Sequence, residues 1–140
     1  MTDDAKIARI LRRVKTIALV GWSPKADRPS HRVAAYLAGR GYRVIPVNPG
    51  QAGEMSGFGE VVRGSLAEVA LEVGPVDMVD IFRRSEEVGP VVVEAIATGA
   101  SVIWMQLGVE NAEAAAKAEA AGLEVVMNRC PAIEIPRLGL

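Results

Sequence analysis

The chain has 140 residues, half of them apolar and mostly aliphatic, which is enough to bury a core of ordinary size. Its formal net charge of −1 excludes a protein built to neutralise a run of nucleic-acid phosphates, although Lys and Arg gather towards the N-terminal third and could form a local basic patch. One cysteine and one histidine exclude an internal disulfide and most zinc arrangements, so no structural metal is expected.

Residues 1–14 open with acidic residues where a secretory signal would be basic, and they place Ile7, Ile10, Leu11 and Val14 at helical spacing. An amphipathic helix is predicted there. Residues 16–20 (Thr-Ile-Ala-Leu-Val) form a short apolar run that stops at Gly21, the pattern of a buried strand. A loop over 21–30 follows, and Ser30 is the expected N-cap of a helix over 31–39. Residues 43–47 predict the second strand, 48–59 a Gly- and Pro-rich surface loop, and 60–63 a short edge strand. Ser65 is expected to cap a helix over 66–72. A strand over 76–82 leads through a turn at 83–87 into a helix ending near Thr98. Residues 101–105 and 124–127 complete the strands, with an Ala-rich helix over 111–121 between them and a Pro-punctuated tail over 128–140. The longest apolar runs are too short to cross a bilayer, so no membrane span and a cytoplasmic location are expected.

Strands alternate with helices along the whole chain, and no linker interrupts them. The economical solution is a single α/β domain over 1–140, a Rossmann-like, doubly wound, mainly parallel sheet with helices on both faces. Such sheets hold ligands at the carboxyl ends of their strands, near the switch point. The richest segment there is the loop after the first strand. Gly21 permits a tight turn and a close approach of backbone, Ser30 opens a helix, and Lys25 and Arg28 add two cations beside it. That combination suits a phosphate ester or diphosphate. An NAD site would show G-x-G-x-x-G here and an acid after the second strand; this chain has Val-Gly-Trp-Ser-Pro-Lys and Asn48. NADP stays open, because Arg43 and Lys25 could meet a 2′-phosphate, and the 3′-phosphate of coenzyme A suits the same cations.

Five blocks then resemble the bacterial and archaeal CoA-binding domain proteins: V-G-W-S-P-K-x-x-R-P-S at 20–30, G-Y-R-V-I-P-V-N-P at 41–49, V-D-M-V-D-I-F-R-R-S-E at 76–86, I-W-M-Q-L-G-V at 103–109 and V-V-M-N-R-C at 125–130. They appear in order over nearly the whole chain, which is also similar to the N-terminal CoA-binding domain of the succinyl-CoA synthetase α subunit. The resemblance implies coenzyme A as ligand. It implies phosphate contacts from Gly21, Trp22 and Ser23, charge compensation from Lys25 and Arg28, and an adenosine pocket at Val47, Asn48 and Pro49. It also places Phe82 and Arg83 along the pantetheine path, with Gln106 and Gly108 at its far end. Gln51 stands where the larger enzyme's domain has a Lys.

The segments that carry the phosphohistidine and grasp ATP in the larger ligases have no counterpart here. The expectation is a non-catalytic module that binds CoA or an acyl-CoA, with a larger acyl-CoA enzyme as a partner it could regulate. The alternative is a small NADP-dependent or acyl-CoA-transforming enzyme using Cys130 or His31. His31 otherwise reads as a capping or packing residue, Trp104 as core filling, and Cys130 as a small buried side chain at a strand end. Asp77 and Asp80 are three apart, so they face opposite sides of a strand and form no acid–base pair.

Overall fold

A computed structural model describes residues 2–140; the predicted helix start at Met1 lies outside them. The strands are β1 (Thr16–Val20), β2 (Arg43–Val47), β3 (Met78–Ile81), β4 (Val102–Met105) and β5 (Glu124–Val126). Among the described residues they form one parallel sheet in the order β2-β1-β3-β4-β5. The helices are α1 (Thr2–Arg13), α2 (Pro29–Gly39), α3 (Leu66–Glu72), α4 (Val88–Ala97), α5 (Ala112–Ala120) and α6 (Pro131–Arg137). One apolar layer joins α1, α2 and α6 to the sheet face bearing Ile17, Leu19, Met78 and Trp104. The other joins α3, α4 and α5 to Ala18, Val79, Ile81 and Met105. This is the Rossmann-like α/β fold expected from the alternation of strands and helices, and burial on both faces explains why the strands read as unbroken apolar runs.

The order of strands locates the ligand edge. The chain leaves β1 through α2 to β2 on one face, then returns through α3 to β3 on the other, so winding reverses between β1 and β3. At that boundary a crevice opens beyond the carboxyl ends. Gly21 and Phe82 stand on its two sides. Phe82 N–H donates to the Val20 carbonyl at 2.8 Å, while Gly21 N–H and Trp22 N–H both donate to the Val47 carbonyl, at 2.9 and 3.2 Å. Gly21 has φ +93°, and a Cβ there would lie 2.2 Å from the Phe82 carbonyl oxygen. The glycine is thus required by the neighbouring strand, independently of any ligand.

Several expectations shift by a turn or less, with physical reasons. Ser30 is not the cap of α2: the helix begins at Pro29, Arg28 is its N-cap, and Ser30 is buried inside the first turn. Pro29 brings a helical φ and lacks the N–H that a cap would satisfy. The expected edge strand at 60–63 reduces to two isolated bridges: an antiparallel one between Met55 and Val61, and a parallel one in which Arg63 N–H donates to the Pro46 carbonyl at 3.0 Å and Asn48 N–H donates to the Arg63 carbonyl at 2.9 Å. The parallel bridge lies beside β2. It covers the open side of β2, where Pro46 is tolerated in an edge strand. Ser65 does cap α3, accepting from Glu68 N–H at 3.1 Å. The tail forms α6, which two prolines had concealed. Its buried Glu134 accepts from Arg137 at 2.6 Å, and Arg137 reaches Asp4 of α1 at 2.7 Å, tying the last helix to the first. The Arg137 hydrogen bond holds the Asp4 carboxyl below its ordinary range.

The two aspartates of the third block have opposite surroundings. Asp77 accepts from Lys15 N–H and Thr16 N–H at 2.8 and 3.1 Å, linking the starts of β1 and β3. Burial pushes its carboxyl up, but these hydrogen bonds outweigh it and leave the pKa below the ordinary value. Asp80 lies in register between Leu19 and Trp104, fully buried, and neither carboxyl oxygen has a hydrogen-bond partner among the described residues. Burial pushes its pKa well above the ordinary value and favours the neutral acid.

Two outcomes follow from these placements. Gly21→Ala is expected to lose at least about 2 kcal/mol of stability in urea unfolding, because the side chain must displace Phe82 from a left-handed backbone position. Folding raises the Asp80 pKa, so the folded chain keeps a proton that the unfolded chain releases. That contribution is complete below about pH 4 and is lost as pH rises towards the folded value. Asp80→Asn should therefore gain stability relative to the parent as pH rises from about 4 to 8. A pH-independent difference between the two urea midpoints would contradict the assignment.

Candidate functional site

A cavity of about 790 Å³ opens at the switch point. Gly21, Phe82 and Gln106 line it from the ends of β1, β3 and β4; Arg32 and Val33 from α2; Cys130 and Ile133 from the start of α6. A second cavity of about 490 Å³ adjoins it on the α3 and α4 side, lined by Val47, Pro49, Ser65 and Leu66 among others. Arg83 and Glu87 belong to the walls of both, so the two lie side by side along the carboxyl edge. Its size suits a cofactor-sized molecule, and its lining combines aliphatic walls with a few cations.

Of the residues expected at the site, the fold brings Gly21, Asn48, Phe82, Arg83 and Gln106 to the larger cavity, and Val47, Pro49 and Arg83 to the smaller. Trp22, Ser23, Lys25, Arg28, Ser30 and Gly108 line neither. Trp22 is buried beneath the loop, its ring stacked on His31 with centroids 5.7 Å apart. His31 Nδ1 lies 3.0 Å from the Ser23 carbonyl oxygen, so the histidine braces the loop in the packing role expected for it. The Ser23 hydroxyl accepts from Lys25 N–H at 3.2 Å, and Lys25 and Arg28 stand on the loop's exposed outer side. Gly108 N–H donates to Asn128 Oδ1 at 2.7 Å.

Asn48 is a clamp within the protein. Its Oδ1 accepts from Gly50 N–H at 2.9 Å, and its amide nitrogen donates to the Trp22 carbonyl at 2.7 Å, joining the ends of β1 and β2. No carboxylate takes that place to receive ribose hydroxyls, which counts against NAD.

The sequence reading missed Arg32, Arg84, Glu87, Val109 and Ile133 as lining residues. Arg32 lies in the first turn of α2, and one of its nitrogens donates to the Asp27 carbonyl at 2.6 Å, which draws the guanidinium towards the loop. A start of α2 at Pro29 was the signal that could have found it. Glu87 pairs with Arg83 at 3.3 Å and Arg84 at 3.1 Å. The Arg84 hydrogen bond holds its carboxyl below the ordinary range. The larger cavity offers three guanidinium groups, Arg32, Arg83 and Arg84, against the Glu87 carboxylate, a balance that favours an anionic ligand there, whereas the smaller one places Glu86, Glu87 and Glu94 beside Arg83.

The polar floor has two unmatched atoms. Gln106 is buried, and its Oε1 has no hydrogen-bond partner among the described residues; nor does Trp22 Nε1. No group of three or more His, Cys, Asp or Glu side chains among the described residues could hold a metal ion, and no helix there is long and apolar enough to cross a membrane.

Comparison with known proteins agrees with this geometry. An uncharacterized Bacillus subtilis protein, YneT, is 42% identical over 128 residues, covering 91% of this chain and 90% of its own. A hypothetical protein from Pyrococcus horikoshii has the same fold with a TM-score of 0.88 at 39% identity, over 98% of this chain and 92% of its own. A Thermus thermophilus structure superposes with a TM-score of 0.87 at 37% identity, over 96% and 98% of the two chains. The model of the CoA binding domain matches residues 15–136, from the start of β1 to the last turn of α6, and the chain belongs to that family.

Proposed function

We propose that this protein binds coenzyme A, free or acylated, along the adjoining cavities at the carboxyl edge. The observation that carries the reading is the larger cavity at the point where the sheet reverses its winding, with Arg32, Arg83 and Arg84 in its wall and a second cavity beside it. Adenine fits the cavity bounded by Val47, Pro49 and Leu66, where flat apolar contact replaces water. The diphosphate then lies near Gly21 and the first turn of α2, within reach of Arg32. That guanidinium has five N–H donors and uses one on the Asp27 carbonyl. Lys25 and Arg28, outside the cavities, act on the phosphates only through the field of the loop. The pantetheine arm runs past Phe82 towards Gln106.

The reading is of a binding module. The side chains that face the cavity are suited to holding charge and excluding water, and Arg83 and Arg84 at its rim are paired to Glu87. Binding of CoA would also stabilise the fold by mass action, because the site is assembled from three strand ends that exist only in the native state.

Titration calorimetry tests this directly. Coenzyme A should bind, and Arg32→Ala should weaken it about tenfold or more, the loss expected for a charge-assisted phosphate contact. Lys25→Ala and Arg28→Ala should each change it less than about threefold at physiological salt, since both line neither cavity and a charge acting without contact is screened. No binding of either CoA or dephospho-CoA at millimolar ligand would end the proposal.

A further inference from the structure

We propose that the β4–β5 end of the larger cavity is a subsite for an aliphatic acyl group, so that the ligand it selects is an acyl-CoA thioester over free CoA. This rests on the CoA reading above and names the class of ligand for the same site. The strand order β2-β1-β3-β4-β5 spreads the lining residues along the sheet edge. Asn48 and Gly21 follow β2 and β1, and Arg83 and Arg84 follow β3. Arg32 is drawn to the loop after β1 by its hydrogen bond to the Asp27 carbonyl. Beyond the arginines, after β4 and β5, stand Leu107, Val109, Cys130 and Ile133, and Gln106 alone is polar among the lining residues there. Charge is thus gathered near β1 and β3 and apolar surface at the far end. An anionic cofactor with an aliphatic tail presents the same division.

Two of those aliphatic side chains are held out of the core: Leu107 is 54% exposed and Ile133 50%. Val109 N–H donates to the Gln106 carbonyl at 2.8 Å, closing a tight turn in which Gly108 has φ +80°. Gly108 N–H is tied to Asn128 Oδ1 at 2.7 Å, and Glu110 N–H to Ser85 Oγ at 3.0 Å. The turn buries Val109 and leaves Leu107 at its tip. Ile133 lies in α6, whose inward face carries Pro131, Glu134 and Ile135. The ion pair of Glu134 with Arg137 fixes that face, and helical spacing leaves Ile133 outward. Neither side chain retracts without breaking these bonds, so water leaves them only when an apolar group from outside covers them. Leu71 is more exposed, at 88%, but it lines neither cavity. Leu107 and Ile133 share one concave wall, where a single ligand group covers both.

The acyl group indicated is uncharged. Among the described residues that follow β4 and β5 and line the cavity, none is a cation. Arg129, next to Cys130, turns its guanidinium to Glu134 at 3.4 Å and does not line the cavity. A dicarboxylic acyl group would therefore lay its charge on aliphatic surface. Each methylene laid over Leu107 and Ile133 should tighten binding about two- to fourfold, the return for apolar surface removed from water.

Titration calorimetry of the full chain with CoA, acetyl-, butyryl- and hexanoyl-CoA tests the subsite. Affinity should rise along the series, with hexanoyl-CoA at least about tenfold tighter than CoA. Butyryl-CoA should exceed succinyl-CoA, which has the same number of acyl carbons, by at least about fivefold. Leu107→Ser and Ile133→Ser should each cut the ratio of hexanoyl-CoA to CoA affinity at least about threefold, whereas Leu71→Ser should leave it unchanged. A ratio separates the acyl contact from any general effect of a variant on the cavity. CoA binding with flat affinities along the series would overturn the subsite and leave the CoA reading standing. So would equal binding of succinyl- and butyryl-CoA, or a ratio that survives both serine variants. If neither CoA nor any of its thioesters binds, both readings fall.

Discussion

The edge site depends on the contact between β1 and β3 at Gly21. A side chain there would collide with the Phe82 carbonyl, so only glycine lets the two strand ends lie together while the loop turns away above them. The same turn delivers Gly21 N–H and Trp22 N–H to the Val47 carbonyl, and Asn48 returns a hydrogen bond to the Trp22 carbonyl. Three strand ends are thereby fastened at one point. The crevice exists because the chain leaves this point on opposite faces of the sheet, and α2 begins close enough to bring Arg32 to its rim.

Polar groups at this end of the sheet are divided between those that build the site and those that are left for something else. Asn48, Asn128, Ser23 and the Trp104 indole all spend their hydrogen bonds on backbone, and they fix the loops that surround the cavity. Gln106 keeps its oxygen unmatched at the cavity floor. Asp80 is unmatched too, but it lies within the layer under α1, α2 and α6, between Leu19 and Trp104, and its burial favours the uncharged acid. A proton on Asp80 removes the charge that the apolar layer would otherwise have to accommodate.

Membership of the CoA binding domain family and the geometry of the edge bear on each other. The family match spans 15–136 and so includes all five strands and the whole of both cavity walls. Within it, this chain concentrates its rim charge on Arg32, Arg83 and Arg84 rather than on the outer loop, where Lys25 and Arg28 face solvent. The distinction is one of reach: the arginines that line the cavity can touch an anion held in it, whereas Lys25 and Arg28 line neither cavity.

Much of this was legible from residues alone. Apolar runs of four or five residues closed by Gly, alternating with helical periodicity, determine a parallel α/β sheet because only burial on both faces tolerates such runs. The same local signals located β1, the Ser65 cap and the importance of Gly21. What the sequence alone left undecided was direction: which side chains of a loop or first turn face the crevice. Two residues of difference in where α2 begins turned Ser30 from cap to buried residue, and Arg32 emerged as a lining cation that the sequence had not singled out. Trp22, adjacent to the glycine, turned inward to stack on His31, because a large apolar ring gains more under α2 than beside water. Cys130 could be read from sequence as either core or reactive thiol; its place beside Gln106 arises only when β4 and β5 pair and the segment after β5 is tied across them. Periodicity determines elements one at a time, whereas the site is made of residues from strands far apart in the chain, and only tertiary packing brings those together.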